Sequence, residues 1–159
     1  MSHHDHVAAH GHGPPSLKRT ALSATVHCLT GCAIGEVLGM VIGTALALSN
    51  TATVVISIVL AFFFGYALTV RPLLGSGLPL HTAARLALAA DTLSITTMEI
   101  VDNGIMLAIP GAMTAGLGTA LFWGSLALSL VIAGVAAFPV NYWLIARGRG
   151  HAVLHQHHH

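Results

Sequence analysis

The chain has 159 residues, of which 55% are hydrophobic and only 7% are charged. A soluble domain carries about 25% charged residues, so this composition excludes an ordinary water-soluble protein and indicates an integral membrane protein that contacts the lipid bilayer. The formal net charge of +1 provides no electrostatic surface for nucleic acid, so no nucleic-acid partner is predicted.

Hydrophobic segments divide the chain into four predicted helices between two polar tails. Because a spanning helix needs about 20 apolar residues, the length leaves room for four spans and little else. We therefore predict an all-α fold, a polytopic membrane four-helix bundle that forms one domain over residues 20–146. The predicted helices are residues 20–48, 52–70, 83–109 and 120–146, and Arg71-Pro72 is expected to end the second. A disordered histidine-rich tail is predicted at residues 1–19, and a basic, histidine-rich tail at residues 147–159.

The basic residues predict the orientation of the bundle. All 6 of them lie at positions that four spans place on one side of a membrane: Lys18, Arg19, Arg71, Arg85, Arg147 and Arg149. By the positive-inside rule, both termini are expected to be cytoplasmic.

Four carboxylates lie inside the first and third predicted helices, and they are Glu36, Asp91, Glu99 and Asp102. A charged side chain at the centre of a bilayer costs about 2.5–3.5 kcal/mol on insertion scales. A proton, a cation, water or hydrogen bonds between helices must therefore compensate for each of them.

Two stripes of residues run side by side along the first predicted helix, each with a spacing of four. The polar stripe consists of Cys28, Cys32, Glu36 and Met40. The glycine ladder consists of Gly31, Gly35, Gly39 and Gly43. Small residues at this spacing let another helix approach closely, either within the chain or in a homo-oligomer.

Carboxylates and thioethers also share one face of the third predicted helix. At about 100° per residue, an arc of about 100° contains Asp91, Met98, Glu99, Asp102 and Met106. Because a lipid-exposed polar face is costly, we expect the first and third helices to pack together through these faces. The second and fourth helices are expected to form an apolar outer layer, and Asn103 is expected to hydrogen-bond across helices.

The donor atoms on these faces suit metal cations, since thiolates and thioethers favour Cu(I) and carboxylates favour harder ions. We predict a midplane site at Glu36, Glu99 and Asp102, with Asn103 beside it. The outer approach would be lined by Met40, Met98 and Met106. The cytoplasmic side would receive the ion at His27, Cys28, Cys32 and Asp91. The alternative is structural, because buried cysteine and methionine are ordinary packing residues and protonated carboxyl groups join helices.

The leading functional hypothesis is a transport or permeation protein for a metal cation, with Cu(I) first and Zn(II) second. A non-transporting membrane accessory, such as a metal sensor, chaperone anchor or assembly factor, is the second hypothesis, and a proton channel is the third. An enzyme is not predicted, because no serine–histidine pair or paired-aspartate motif is recognised. Pro139 is expected to kink the fourth helix, where it would act as a hinge or shape the packing.

Three stretches carry a resemblance to a known family, and they are HCLTGCAIGE, DTLSITTMEIVDN and FPVNYWLIARGRGH. Over about Thr20 to His151, the chain resembles a family of small bacterial membrane proteins catalogued only as a domain of unknown function. The resemblance implies four helices and a bacterial inner membrane, and it implies no activity.

Overall fold

The computed structural model describes residues 16–147, which form four α-helices and one short 3-10 helix and contain no β-strand. The α-helices are α1 (Leu17–Ala45), α2 (Asn50–Gly75), α3 (Leu80–Ala108) and α4 (Ala120–Ala146), and the 3-10 helix η1 (Ala112–Thr114) lies in the last connection. The predicted all-α class with four helices is confirmed. Residues 1–15 and 148–159 of the two predicted tails lie outside the described residues, whereas residues 17–19, predicted to be disordered, form the start of α1.

Three of the helices, α1, α2 and α4, are long and apolar enough to cross a membrane. The remaining helix, α3, is 29 residues long, but carboxylates interrupt its apolar sequence. The length and composition of the described helices therefore indicate a membrane protein.

The ends of α1 differ from those expected, because capping groups fix them. Ser16 caps the helix, and its hydroxyl oxygen accepts a hydrogen bond from the backbone N–H of Arg19 at 3.4 Å, so α1 begins earlier than residue 20. Ala47 takes a left-handed conformation with φ 49°, and the N–H of Leu48 bonds the carbonyl of Gly43 at 2.9 Å. This turn ends α1 at Ala45 rather than at residue 48.

The second helix is longer than its sequence indicates. It continues beyond Arg71-Pro72 to Gly75, and Pro72 lies inside the last turns of the helix. The stop comes at Gly77, whose φ of 87° favours glycine, while the N–H of Leu78 bonds the carbonyl of Leu73 at 3.3 Å. The third helix then begins at Leu80, directly after Pro79, and ends at Ala108, so it too is shifted toward the N-terminus.

The four helices surround a common axis, and no helix forms an outer layer. α1 packs most closely against α2 and α3 against α4, while α1 and α3 meet only across the diagonal. Each helix has a buried stripe and an exposed face. The expectation that α2 and α4 would lie outside a central pair is therefore wrong, because all four contribute to the interior.

The glycine ladder of α1 packs against a matching series of small residues on α2. Opposite its members Gly31, Gly35, Gly39 and Gly43 lie Gly65, Ala61, Ser57 and Thr53. A Cβ atom placed on Gly31 would lie 2.6 Å from the Cα atom of Gly65, a separation that real Cβ atoms do not reach. The two backbones are thus in contact, and the ladder is occupied within the chain rather than open to a second copy.

Replacing Gly35 by alanine is expected to destabilise the protein, because the new Cβ would overlap the backbone of Ala61. Overpacking of this kind costs about 1–3 kcal/mol. The control is Gly124→Ala on α4, where no atom lies within 4 Å of the new Cβ and alanine favours the helix. Thermal unfolding in detergent should show a lower midpoint temperature for Gly35→Ala but not for Gly124→Ala. Equal midpoints for the two variants would contradict the contact between the backbones of α1 and α2.

Candidate functional site

The antiparallel order of the helices gives the bundle two distinct ends. The end where α1 and α3 begin is called the basic end, since its described cations are Lys18, Arg19, Arg71, Arg85 and Arg147. The opposite end is formed by the α1–α2 turn and η1. Between these ends, side chains of α1 and α3 meet at three successive levels.

The aspartate level lies nearest the basic end and is centred on Asp91 of α3, which is 1% exposed. The thiol of Cys28 lies 3.8 Å from Asp91 Oδ1, and His27 is within electrostatic range of the same carboxyl group. Thr69 of α2 faces it from a third helix. Side chains from α1, α2 and α3 therefore form this level.

The sulfur level lies one turn further along the axis. Cys32 Sγ is 4.0 Å from Met98 Sδ, and both side chains are buried among Ala61, Ile95 and Ala133. Both cysteines of the chain are free thiols. Met98 was expected on the outer approach, but its thioether packs against the thiol of Cys32, on the side of Glu99 that is nearer the basic end.

The carboxyl level combines Glu36 of α1 with Glu99 and Asp102 of α3. Glu36 lies within electrostatic range of both other carboxyl groups. Ser129 of α4 donates a hydrogen bond of 2.5 Å to Asp102 Oδ1. Asn103 Nδ2 donates to the carbonyl oxygen of Glu99 at 3.0 Å and to its Oε2 at 3.4 Å. Asn103 therefore bonds within α3, not across helices as expected, because it lies one turn after Glu99.

An axial cavity of about 190 Å³ extends from the opposite end to the carboxyl level. Glu36 and Asn103 form part of its wall, and Met40, Met106 and Phe122 line it further out. The carboxyl level thus has an approach from one end of the bundle, which passes the three thioethers of Met40, Met106 and Met113.

Sequence reasoning missed the contributions of α2 and α4, which carry no carboxylate. The sequence pattern that could have indicated these contributions is a small or polar residue at every fourth position of each helix. On α2 the series is Thr53, Ser57, Ala61, Gly65 and Thr69, and on α4 it is Ser125, Ser129, Ala133, Ala137 and Asn141.

Near the basic end of the bundle, Asn141 connects α4 to α1, since its Nδ2 donates a hydrogen bond of 2.9 Å to Thr25 Oγ1. Pro139 lies on the exposed face of α4, and the helix is continuous through it. The hinge stays a prediction.

The candidate metal ligands are distributed over the three levels and the axial cavity rather than gathered in one coordination sphere. Within residues 16–147, no three His, Cys, Asp or Glu side chains are arranged to hold a metal ion. The sulfur level offers one thiol and one thioether, which are donors that suit Cu(I). The carboxyl level offers oxygen atoms, which suit protons and harder cations.

A family model described as Domain of unknown function (DUF4396) matches residues 18–150. The chain belongs to the DUF4396 family. The resemblance to a family of unknown function is thereby confirmed, and no curated protein and no solved structure matches the chain. The matched region contains all three levels and the axial cavity, so the site lies wholly within the family's domain.

In this DUF4396 protein, Ser129→Ala is expected to lower the free energy of unfolding by about 1–2 kcal/mol, because it removes the donor to a buried carboxyl oxygen. Ser125→Ala is the control, since it removes a buried hydroxyl one turn earlier on α4. Denaturant titration in detergent micelles measures both. The loss of stability caused by Ser129→Ala should be smaller in an Asp102→Asn background. An equal loss in both backgrounds would contradict an energetic contribution from the Ser129–Asp102 hydrogen bond.

Proposed function

We propose that this protein is a polytopic four-helix bundle of the bacterial inner membrane that binds a cation on its axis and conducts it across the bilayer. The apolar character of α1, α2 and α4 supports the membrane location. Inclusion of α3 as a fourth span is supported by its burial pattern, since its carboxylates Asp91, Glu99 and Asp102 all point to the interior. In this orientation, the basic end faces the cytoplasm.

The observation that carries the proposal is the carboxyl level at the inner end of the axial cavity. Glu36 Oε1, Glu99 Oε1 and Asp102 Oδ2 are buried and receive no hydrogen bond from the described residues. The carboxyl groups of Glu36 and Glu99 lie beside each other. The donors Ser129 and Asn103 serve only one oxygen each of Asp102 and Glu99. A cation or protons would neutralise this group of carboxyl oxygens.

Copper(I) is the first candidate cargo, because the Cys32–Met98 sulfur pair lies beside the carboxyl level on the same axis. A Cu(I) ion would move from the thioethers of the axial cavity, past the carboxyl oxygens, to the sulfur pair and Cys28. Zinc(II) is the second candidate, since it binds thiolate, imidazole and carboxylate donors. Neither ion is proposed as a resident cofactor.

The proton is a second candidate cargo, and one specific observation favours it. Carboxyl groups occur at two of the three levels, whereas no three His, Cys, Asp or Glu side chains of residues 16–147 are gathered for a metal. Proton transfer needs only titratable groups in succession, so the carboxyl and aspartate levels would suffice without the sulfur atoms.

The proposed orientation predicts opposite labelling of two engineered thiols in a Cys28→Ser/Cys32→Ser background. Thr51→Cys lies at the opposite end and should react with a membrane-impermeant maleimide in intact spheroplasts. Ser76→Cys lies at the basic end and should react only after the membrane is permeabilised. The reverse pattern would overturn the cytoplasmic placement of the basic end.

Ion flux into proteoliposomes tests the function. With Cu(I) outside and a copper-sensitive dye inside, the unaltered protein should give uptake that Glu36→Gln combined with Glu99→Gln reduces to the level of empty liposomes. Cys32→Ser should abolish copper uptake, because it removes the thiol of the sulfur level. Thr30→Val is the control, since this exposed threonine bonds only the carbonyl of Val26 in its own helix.

Proton flux measured with a pH-sensitive dye separates the candidates. If both the unaltered protein and Cys32→Ser take up protons, and no form takes up copper, the conducted cation is the proton rather than a metal ion. Stoichiometric copper binding without passage of either ion would overturn conduction and leave a non-transporting metal-binding accessory.

A further inference from the structure

A second cavity, here called the lateral groove, lies between α2 and α3, extends to Asn50 and Met113 at the opposite end, and has a volume of about 630 Å³. Most of its wall is apolar and includes Val55, Ile58, Phe62, Ile100 and Leu107. Sites for small molecules have volumes of about 300–1,000 Å³, so the groove is large enough for an organic ligand.

The wall of this apolar groove contains one acidic side chain. Glu99 lines it, is 5% exposed, and is the one charged residue among the described residues of the wall. Its Oε2 accepts a hydrogen bond from Asn103, and Cys32 and Glu36 of α1 lie beside the carboxyl group, but Oε1 has no hydrogen-bond partner among residues 16–147. A buried polar atom without a partner is costly, so this oxygen favours a ligand that carries a positive charge or a donor.

An aromatic ring adds a second group that attracts cations. Phe62 lines the same wall, and the faces of aromatic rings attract organic cations by about 0.5–2 kcal/mol. A buried carboxylate, an aromatic ring and apolar walls together match a molecule with a large apolar body and a single positive charge.

We propose that the lateral groove binds a lipophilic organic monocation, whose apolar body contacts the walls and whose charge lies near Glu99. This ligand differs in class from the inorganic cation proposed for the axis, and the groove reaches Glu99 from the side of the bundle. A lipid acyl chain fits the same walls less well, because it leaves the oxygen of Glu99 without a partner. An anionic ligand would be repelled.

Binding of tetraphenylphosphonium tests the proposal, with tetraphenylborate as a probe of the same size and opposite charge. In equilibrium dialysis of the purified full chain in nonionic detergent, the phosphonium should bind saturably and the borate should not. Glu99→Gln should weaken binding by about 30-fold or more, as loss of a buried charge partner does. Ile58→Trp should also weaken it, because the larger side chain fills the groove.

Val59→Trp is the matched control for Ile58→Trp. It introduces the same side chain at the next residue of α2, where the valine is 62% exposed and outside the groove, so affinity should be unchanged. Each variant is first shown to be monodisperse by size-exclusion chromatography.

Equal binding of the two probes would overturn the proposal and identify the groove as an apolar slot for lipid chains. Unaltered phosphonium binding by either Glu99→Gln or Ile58→Trp would also overturn it, and Ile58→Trp remains decisive where Glu99→Gln does not fold. Because the assay measures binding in detergent, failure of ion flux in liposomes would leave its outcome unaffected.

Discussion

The contact between the backbones of α1 and α2 is the constraint on which the rest of the bundle depends. With no side chains on the glycine ladder, α1 is held with one face against α2. A helix turns by about 100° per residue, so Cys32 and Glu36, which directly follow Gly31 and Gly35, point about 100° away from α2. That rotation directs the polar stripe to the bundle axis instead of to lipid. The position of Glu36 therefore follows from residues that have no functional groups.

Burial of carboxyl groups is the main cost of this arrangement, and the described hydrogen bonds offset only part of it. Interhelical hydrogen bonds in membranes contribute about 0.6 kcal/mol on average and about 1.7 at most, against about 2.5–3.5 kcal/mol for each charged side chain. Asp102 has the hydroxyl of Ser129, and Glu99 has the amide of its own helical neighbour Asn103. Since these donors cannot balance three ionised groups, bound protons, a cation or water would have to compensate for the remaining charge.

Periodicity in the sequence predicts which residues of α1 and α3 share a face, because a helix has a fixed rotation per residue. It does not identify the neighbour of that face. The glycine ladder indicates that some helix approaches closely, and only the matching small residues of α2, such as Ser57 and Ala61, select the partner. Ser129 was missed because a serine hydroxyl adds little free-energy cost to an apolar helix, so its presence in the sequence does not indicate a specific role. The end of α2 was misplaced because Pro72 is tolerated near the C-terminus of the helix, where the stop is set by Gly77.

Asn103 connects the two cavities, since it lines both the axial cavity and the lateral groove and donates to Glu99. On both proposals, a cation on the axis and an organic cation in the groove would depend on the same carboxylate. One carboxylate neutralises one positive charge, so occupation of the groove should weaken binding on the axis. Linkage requires the reverse effect to have the same size, because the coupling free energy belongs to the pair of ligands. If both proposals hold, the two ligands would therefore compete for Glu99.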